Sequence, residues 1–504
     1  MKSKLVLVCL LLVAVALVVS AITASARPFA PGFMVKTMAD GSKVTISMAG
    51  SDEWIKIGHT VDGLTVLPDD KGNFFYATLD KKGDLVATNV KANDPAKRGA
   101  AEKAFAAKLA KGLDFTDAQK KGKIPPQPMD QWYMNTYTGN VRLLAIAMSF
   151  KNFSWTCSMT TLTNMLNQHG YQSPISGQTG SFHEYMESQS GGLLNITTDV
   201  VGPYAAKNNY AYYGGTKGKY GDVHAPALYD EALVKADPDV NFALYDNDSN
   251  GTVDPCMMVT AGYCETEGAG ENWIGAHTWS LGGDYPWGLP ARTVDGKQAY
   301  VYCTWSEYRG TGGGTQISSV ANATHEYGHC MGTFDSYLWA IPPNCYDQMA
   351  MGSWAGGDGD NPSSYIAYHK IVWGWVTPTT LSSAATGVTI ANRNDNRVAD
   401  KVVNASTGEY FLLENVKVTG WDAYVYNSGM LVTHIAAAGH LEPADNSASC
   451  NSGQAGDVFP GTGNYTSYTD TTTPNMKSST GVNTAKPITN ITYPSYVTTF
   501  DFMQ

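Results

Sequence analysis

The pattern of hydrophobic and polar positions changes character several times along the chain. An apolar stretch over residues 5–19 follows two lysines and precedes Ala24-Ser25-Ala26, a small-x-small sequence. A basic start, an apolar stretch and such a cleavage sequence are typical of a secretory signal peptide. We therefore predict a signal peptide over residues 1–26. The mature chain is expected to be secreted or extracellular, and a periplasmic or cell-surface location is the alternative.

Short strand-like runs alternate with turns over residues 27–130. The runs 43–48 and 74–78 are the clearest strands, and the Ala/Lys-rich segment 95–111 has the pattern of a helix. The charged, proline-bearing segment 117–128 has the composition of a linker. This pattern predicts a separable N-terminal module over residues 27–130.

Helical and strand patterns mix over residues 131–378. The apolar run 141–148 predicts a buried strand, and helices are expected at 159–167 and 180–186. The β-branched and aromatic run 298–305 predicts another strand. We expect an α+β domain here.

Strands and polar turns dominate residues 379–504. The runs 409–415 and 429–435 are the clearest strands of this region. Several short strands separated by turns favour a β-sandwich-like C-terminal module.

Composition narrows the possible partners. Removal of 26 of the 504 residues leaves 478, which is too many for one hydrophobic core. The formal net charge is −11, and no Lys/Arg cluster follows the signal peptide. Nucleic acid is therefore excluded as a partner, and stable membrane insertion is not expected after signal removal.

Seven of the eight cysteines follow the predicted signal peptide. In an oxidising compartment they would allow up to three disulfides and one free thiol. The close pairs Cys256–Cys264 and Cys330–Cys345 are the first candidates, while reduced, buried thiols are the alternative.

Residues 325–335 carry the most specific chemistry of the chain, with the sequence His-Glu-Tyr-Gly-His-Cys-Met-Gly-Thr-Phe-Asp. Residues four apart share one helical face, so His325 and His329 can bind one ion, and Glu326 then faces the neighbouring open position. Gly332 can end the helix and reverse the chain, which allows Asp335 to supply a third ligand. Three ligands leave the fourth position of a catalytic zinc to water, and Glu326 can act as the general base. The pattern predicts zinc-dependent peptide hydrolysis, whereas an amphipathic core helix with two fortuitous histidines is the alternative.

A methionine lies in the run Tyr-Asp-Gln-Met-Ala-Met-Gly-Ser-Trp over residues 346–354. Its spacing to Gly352 assigns Met349 as a candidate Met-turn residue, which would form an apolar floor beneath the zinc ligands. A methionine that is simply buried is the alternative.

Oxygen-bearing side chains alternate over residues 246–254 as in the first part of a calcium loop. The complete EF-hand pattern fails because position 12 is Met257. A truncated structural Ca²⁺ site is the interpretation, and an Asp/Asn-rich turn that needs no ion is the alternative. The proposed ligands are Asp246, Asp248, Asn250, the Thr252 carbonyl and Asp254.

Three other features have weaker interpretations. The strand over 298–305 precedes the zinc helix and is a candidate edge for addition of an extended peptide substrate. His183 is assigned to a polar helix surface, and His434 to a hydrogen-bonded core. The N-terminal module is a candidate propeptide of a zymogen, and it contains no cysteine that could block the zinc as a thiolate.

By these motifs the chain resembles the immune-inhibitor-A-like family of secreted zinc metallopeptidases, which is metzincin-like and has the pattern His-Glu-x-x-His-x-x-Gly-x-x-Asp. Short further likenesses lie on both sides of the zinc helix, and together they cover most of residues 30–504. The resemblance implies a metzincin-like fold, zinc-dependent endopeptidase activity, bound calcium and a propeptide. It assigns His325, His329 and Asp335 as zinc ligands and Glu326 as the catalytic residue.

The sequence thus predicts a secreted zinc endopeptidase that acts on protein or peptide substrates through a zinc-activated water. A calcium-stabilised surface-binding or adhesion protein with a structural or inactive zinc site is the alternative. Glu326 separates the two, because a structural site has no use for a base beside an open position.

Overall fold

The computed structural model describes most of the chain after the apolar N-terminus. The described residues are 25–26, 29, 32–50, 56–69, 71–116, 119, 137–172, 180–215, 222–281, 289–310, 317–395, 397–436, 439–447 and 454–504. The predicted signal peptide lies outside them except for the two-residue strand β1 (Ser25–Ala26), and most of the predicted linker 117–128 lies outside them as well.

The N-terminal region forms a six-stranded antiparallel sheet whose strands follow one another in chain order. The strands are β2 (Phe33–Thr37), β3 (Lys43–Gly50), β4 (Lys56–Thr60), β5 (Thr65–Pro68), β6 (Phe74–Leu79) and β7 (Leu85–Lys91). The helix predicted at 95–111 is shorter in the structure. A 3-10 turn at Pro95–Lys97 comes first, and helix α1 covers only Ala100–Ala106, with Gly99 at its N-cap.

A mixed six-stranded sheet forms the centre of the next region, in the order β1-β11-β14-β10-β8-β9. Its inner strands are parallel, whereas β11 and β1 run antiparallel to their neighbours. The strands are β8 (Gly139–Ser149), β9 (Leu194–Ala205), β10 (Cys256–Thr260), β11 (His277–Ser280) and β14 (Val301–Ser306), and a separate hairpin joins β12 (Arg292–Val294) to β13 (Lys297–Ala299). The helices are α2 (Met159–Asn167), α3 (Phe182–Ser190), α4 (Tyr210–Tyr213), α5 (Ala225–Ala236), α6 (Val320–Cys330) and α7 (Ala367–Val372).

Strand β8 confirms the buried strand expected from the apolar run 141–148. Val141 and Leu143 face one core with α2, α3 and α6, whereas Leu144 and Ile146 face a second core with α5. A strand buried on both faces has no polar side to alternate with, which explains the continuous apolar run.

The helices predicted at 159–167 and 180–186 are also present. Ser158 caps α2, and Ser181 with Glu184 forms a capping box at the start of α3. The second helix extends four residues beyond its predicted end, to Ser190, because Gly191 is the first residue with a left-handed conformation.

Two sheets follow α7. One contains β15 (Thr379–Thr380), β17 (Asp400–Val403), β18 (Tyr410–Val416), β19 (Gly429–Ile435) and β20 (Gly439–Leu441), and the other contains β16 (Ala385–Ile390), β22 (Thr498–Phe502) and β21 (Ile488–Thr492). Phe411 and Leu413 of β18 belong to a core shared with β21 and β22. Leu412 and Val416 face the other way, into a core that includes Trp339 and Ile366. The five-stranded sheet is therefore buried on both faces, and one face packs on the region that precedes it.

The six cysteines in the described part of the chain are free thiols, so the two disulfides expected from sequence proximity do not form. Cys256 and Cys264 belong to the cores on opposite faces of the central sheet, and Cys330 and Cys345 also lie in different cores. Cys450 lies outside the described residues. Within the described residues, no helix combines the length and apolar character that a membrane crossing requires.

Candidate metal centre

Helix α6 is buried along its whole length. Its four-residue spacing places the rings of His325 and His329 on one face, with their Nε2 atoms 3.3 Å apart. The two histidines predicted as ligands therefore converge as their spacing implies.

The helix ends where the sequence predicts. Gly332 has a left-handed conformation with φ of 87°. The Thr333 N–H donates to the Gly328 carbonyl, and the Gly332 N–H donates to the His329 carbonyl, which is the pattern of a Schellman end. The reversed chain brings Asp335 Oδ1 to 3.1 Å from Nε2 of each histidine.

The other ring nitrogen of each histidine faces a backbone carbonyl. Nδ1 of His325 lies 2.8 Å from the Gln348 oxygen, and Nδ1 of His329 lies 3.0 Å from the Thr333 oxygen. A carbonyl only accepts, so both Nδ1 atoms carry hydrogens, and both neutral rings turn an Nε2 lone pair toward Asp335. Three acceptors thus face one another in a site that is at most 2% exposed, and this arrangement requires a cation. The donor set fits a divalent metal.

The protonation of the two histidines follows from this arrangement. Burial lowers the pKa of His329, but the charge of Asp335 and its hydrogen bond outweigh burial and raise that pKa to about 9. Burial lowers the pKa of His325, and the nearby His329 charge also lowers it. Burial raises the pKa of Asp335, but the two histidines lower it more. A proton on His329 therefore takes the place of the cation when no metal is bound.

Glu326 is fully buried and follows the first histidine directly. Thr278 on β11 lies against it, with Oγ1 2.7 Å from the Glu326 backbone oxygen and 3.3 Å from its Oε2. Sequence reasoning missed Thr278, because no motif connects an isolated threonine on a distant strand with the helix.

Met349 lies under the metal helix. A Cβ atom on Gly328 would lie 2.7 Å from Met349 Sδ, so the methionine packs directly against the glycine in the middle of the helix. The preceding Gln348 holds this segment to α6 through its carbonyl on His325 and through its side-chain amide, which donates to the Ala321 carbonyl and to Thr324 Oγ1. The close approach explains why glycine stands at a position that disfavours it in a helix.

Asp347 connects the ligand loop with the same segment, and sequence reasoning missed it as well. Its Oδ2 accepts hydrogen bonds from Ser336 Oγ and from His369 Nε2. Ser336 directly follows the third candidate ligand, so this carboxylate fixes the position of the ligand loop. The available sequence signal for Asp347 was its position two residues before the candidate Met-turn residue Met349.

The calcium prediction is not supported. Asp246 Oδ2 forms an ion pair with Lys297 Nζ at 2.5 Å, and the Asp246 oxygens accept backbone hydrogen bonds from Asn250 and Gly251. Asp254 Oδ2 accepts from Asn247 N–H. Among the residues described, Asp246, Asp248 and Asp254 do not form a convergent metal-binding group.

The remaining two predicted calcium ligands have local partners. Asn250 Oδ1 accepts from the backbone N–H and the hydroxyl of Thr252. The loop is held by its own donors and by a lysine, in agreement with an Asp/Asn-rich turn.

The strand expected over 298–305 is divided between β13 and β14, and β14 lies between β11 and β10. Because its backbone groups are paired on both sides, it cannot accept a peptide, and the prediction of an edge at 298–305 is wrong. Near Glu326 the sheet ends with β11 and the two-residue edge strand β1, whose Ser25 and Ala26 pair antiparallel with Thr278 and His277 of β11.

Comparison with known proteins agrees with this geometry. Residues 156–374 match the profile of "Immune inhibitor A peptidase M6, catalytic domain". This part of the chain is similar to the catalytic domain of the immune inhibitor A family of metallopeptidases. The family resemblance read from the zinc motif is thereby confirmed, and a metallopeptidase family implies a bound metal.

Two curated proteins are similar to the chain. Both are described as "Pre-pro-metalloprotease PrtV", from Vibrio cholerae serotype O1 strains M66-2 and ATCC 39315 / El Tor Inaba N16961. Each is 27% identical over a match that covers 45% of this chain and 29% of the relative. The chain thus spans less than a third of the length of these relatives.

A solved structure, metalloproteinase-II from Bacteroides fragilis, aligns over 66% of this chain and 86% of its own. Its sequence identity is 12% and its TM-score is 0.23, which is too low to show a shared fold.

Replacement of Gly328 tests the contact between α6 and Met349. Alanine has the higher helix propensity, but its Cβ would meet Met349 Sδ, so we expect Gly328→Ala to lower the free energy of unfolding by about 1–3 kcal/mol. Urea unfolding of metal-loaded protein measures this change. Gly270→Ala is the matched control, because a Cβ there meets nothing within 4 Å. Equal stability of the two variants would contradict the packing argument.

The raised pKa of His329 predicts pH-dependent metal uptake. With a pKa of about 9, the group carries a proton at pH 8 that a metal must displace. We expect release of about one proton per bound Zn²⁺ at that pH, and about tenfold tighter binding per pH unit up to pH about 9. Proton release in weak buffer measures the first effect, and competition with a metal-binding dye measures the second.

In metal-free protein, the stabilising effect of protonated His329 is complete below pH 6.5 and is lost as the pH rises through about 9. Uptake without proton release at pH 8 would exclude the protonated pair.

Proposed function

We propose that this chain is a secreted zinc-dependent endopeptidase that hydrolyses protein substrates, with Glu326 as the general base. The observation that carries this proposal is the convergence of His325, His329 and Asp335 directly beside a buried glutamate. A purely structural zinc is usually closed by four protein ligands, whereas here three converge.

Zinc is the metal that this donor set favours. Two imidazole nitrogens and one carboxylate oxygen are ligands that zinc accepts in catalytic sites, with one position left for water or substrate. The carbonyls of Gln348 and Thr333 orient both imidazoles through Nδ1. When bound, zinc would supply an activated water and polarise the scissile carbonyl.

Glu326 has the role of moving a proton. Its carboxylate would accept a proton as water attacks the peptide carbon, and would donate it to the nitrogen of the leaving amine. Thr278 is a positioning residue in this proposal, since its hydroxyl lies against both the backbone and the side chain of Glu326.

The strand β11 provides a place for the substrate backbone. It carries Thr278, and the short strand β1 already pairs with it in the antiparallel direction. An extended peptide that pairs with the same backbone groups would pass directly beside Glu326. This position supports an endopeptidase, because the chain of a long substrate can continue on both sides of the scissile bond.

The N-terminal module is proposed as a propeptide that keeps the enzyme latent. Leu338, three residues beyond Asp335, packs against the apolar cluster of Ile57, Leu67, Ala77, Leu85 and Phe115. On another side, the turn at Gly72 approaches the Glu271 carboxylate. The module thus contacts the ligand loop, and the burial of Glu326 supports a covered form of the site.

Replacement of Glu326 tests the catalytic assignment. We expect Glu326→Gln to lower kcat/KM by about 10²–10⁴-fold with zinc content unchanged, because the amide cannot accept the proton. Casein hydrolysis and elemental analysis measure the two quantities, before and after limited proteolysis of the linker at 117–128. Glu187→Gln, a partly exposed glutamate on α3, is the control. Full activity of Glu326→Gln would exclude the mechanism, and a wild-type protein that stays inert after proteolysis would favour a binding protein.

Hydrogen exchange tests the proposed substrate strand. Binding of a peptide hydroxamate to the processed protein is expected to slow amide exchange in β11, because the substrate would replace β1 and pair along the whole strand, whereas β1 covers only Thr278 and His277. Strand β10 is the internal reference, since both of its edges are already paired. Unchanged exchange over residues 277–280 in the saturated complex would place the substrate elsewhere.

A further inference from the structure

A second cluster of metal-binding side chains lies in the C-terminal five-stranded sheet. It contains His434 on β19, His440 on β20 and Glu442 just beyond β20. One nitrogen of each histidine and one carboxylate oxygen of Glu442 lie within 4.8 Å of one another. The cluster belongs to other elements than the catalytic centre and has no role in the proposed hydrolysis.

The sheet register explains why these three side chains meet. His434 and His440 are directly opposite in the antiparallel pair of β19 and β20. Residues two apart in an extended chain share a face, so Glu442 projects to the same side as His440. Glu442 Oε1 lies 3.3 Å from His434 Nδ1 and 2.9 Å from His440 Nε2.

Glu409 orients His434 from its other side. Its Oε2 lies 2.9 Å from His434 Nε2, and the carboxylate is itself held by the backbone N–H and the hydroxyl of Ser479, each at 2.7 Å. Phe411 stacks on the imidazole with ring centroids 4.2 Å apart. His434 is only 1% exposed, so its ring is fixed on all sides.

This arrangement determines which nitrogen is free to bind. A carboxylate accepts a hydrogen from Nε2, and in the neutral imidazole Nδ1 then presents a lone pair toward Glu442 and His440. A histidine whose second nitrogen donates to a carboxylate is the usual arrangement of a metal ligand. An imidazole lone pair that faces a buried carboxylate oxygen is unfavourable unless a proton or a metal ion lies between them.

We propose that His434, His440 and Glu442 form a second binding site for zinc or a similar divalent transition metal, with Glu409 as the carboxylate that orients His434. Two imidazoles and one carboxylate suit zinc, and three protein ligands leave one position for water. His440 has 26% of its side chain exposed, which gives the ion a path from solvent. The bound ion would join β19 to β20 at a hairpin whose residue Gly439 packs closely on the Trp339 ring.

Zinc stoichiometry tests this site. The full-length chain with Glu326→Gln is stripped of metal, incubated with excess Zn²⁺, passed through gel filtration and analysed for zinc per chain. We expect two zinc ions in this reference protein and one after the further change His440→Ala. His224→Ala is the matched control, because His224 is also partly exposed and lies outside both clusters, and it should retain two.

The outcomes separate this site from the catalytic centre. If only the catalytic assignment fails, the reference binds one zinc ion and His440→Ala binds none. Two ions retained by His440→Ala, or one ion in both proteins, would overturn the proposed second site.

A second variant guards against misfolding. Glu442→Gln keeps the size of the side chain but removes the anionic ligand, and it should weaken zinc binding at this site at least tenfold. The same two substitutions in the active, processed enzyme should leave casein hydrolysis unchanged. Wild-type affinity of Glu442→Gln for a second zinc ion would also overturn the proposal.

Discussion

Three acceptors that face one another in a water-excluded interior are the constraint on which this structure depends. His325, His329 and Asp335 point at one place, and the backbone carbonyls behind the two histidines leave their Nε2 atoms without hydrogens when the rings are neutral. Such a group is costly unless a positive charge occupies it. The surrounding fold therefore has to hold the ligands in place against their mutual repulsion until a cation binds.

Several contacts around the site hold the three candidate ligands in place. The left-handed Gly332 reverses the chain toward the ligands, and Asp347 holds the loop through Ser336. The segment 348–349 packs against α6. The Gln348 carbonyl accepts a hydrogen bond from His325, and Met349 Sδ packs against Gly328. The site is therefore positioned by contacts distant in sequence as well as by the helix that bears it.

The sequence predicted best those features that depend on local spacing. The period of α6 and the turn at Gly332 follow from residues within one short segment, so the convergence of the histidines and Asp335 could be foreseen. The continuous apolar run of β8 likewise predicts a buried strand, and β8 is buried on both faces. Sheet order was not accessible in the same way, because the interior position of β14 and the position of β11 beside the edge strand β1 depend on pairings between distant segments.

Other features depend on long-range contacts for the same reason. Thr278 reaches Glu326 only because β11 runs beside α6, and nothing in its own neighbourhood marks it. The loop at 246–254 has the residue pattern of a calcium site, but Lys297, which arrives from the β12–β13 hairpin, supplies the positive charge. Cysteines close in sequence are separated because neighbouring segments project them into different cores.

The packing of the C-terminal sheet has a consequence for how the chain can be divided into fragments. The match to the catalytic-domain profile ends at residue 374, yet Leu412, Leu431 and Leu441 complete the core around Trp339 and Ile366. Removal of the strands would expose this apolar surface beside the ligand loop. The boundary of the recognisable family segment is thus not a boundary of folding, and an expression fragment that ends there would lack part of its own interior.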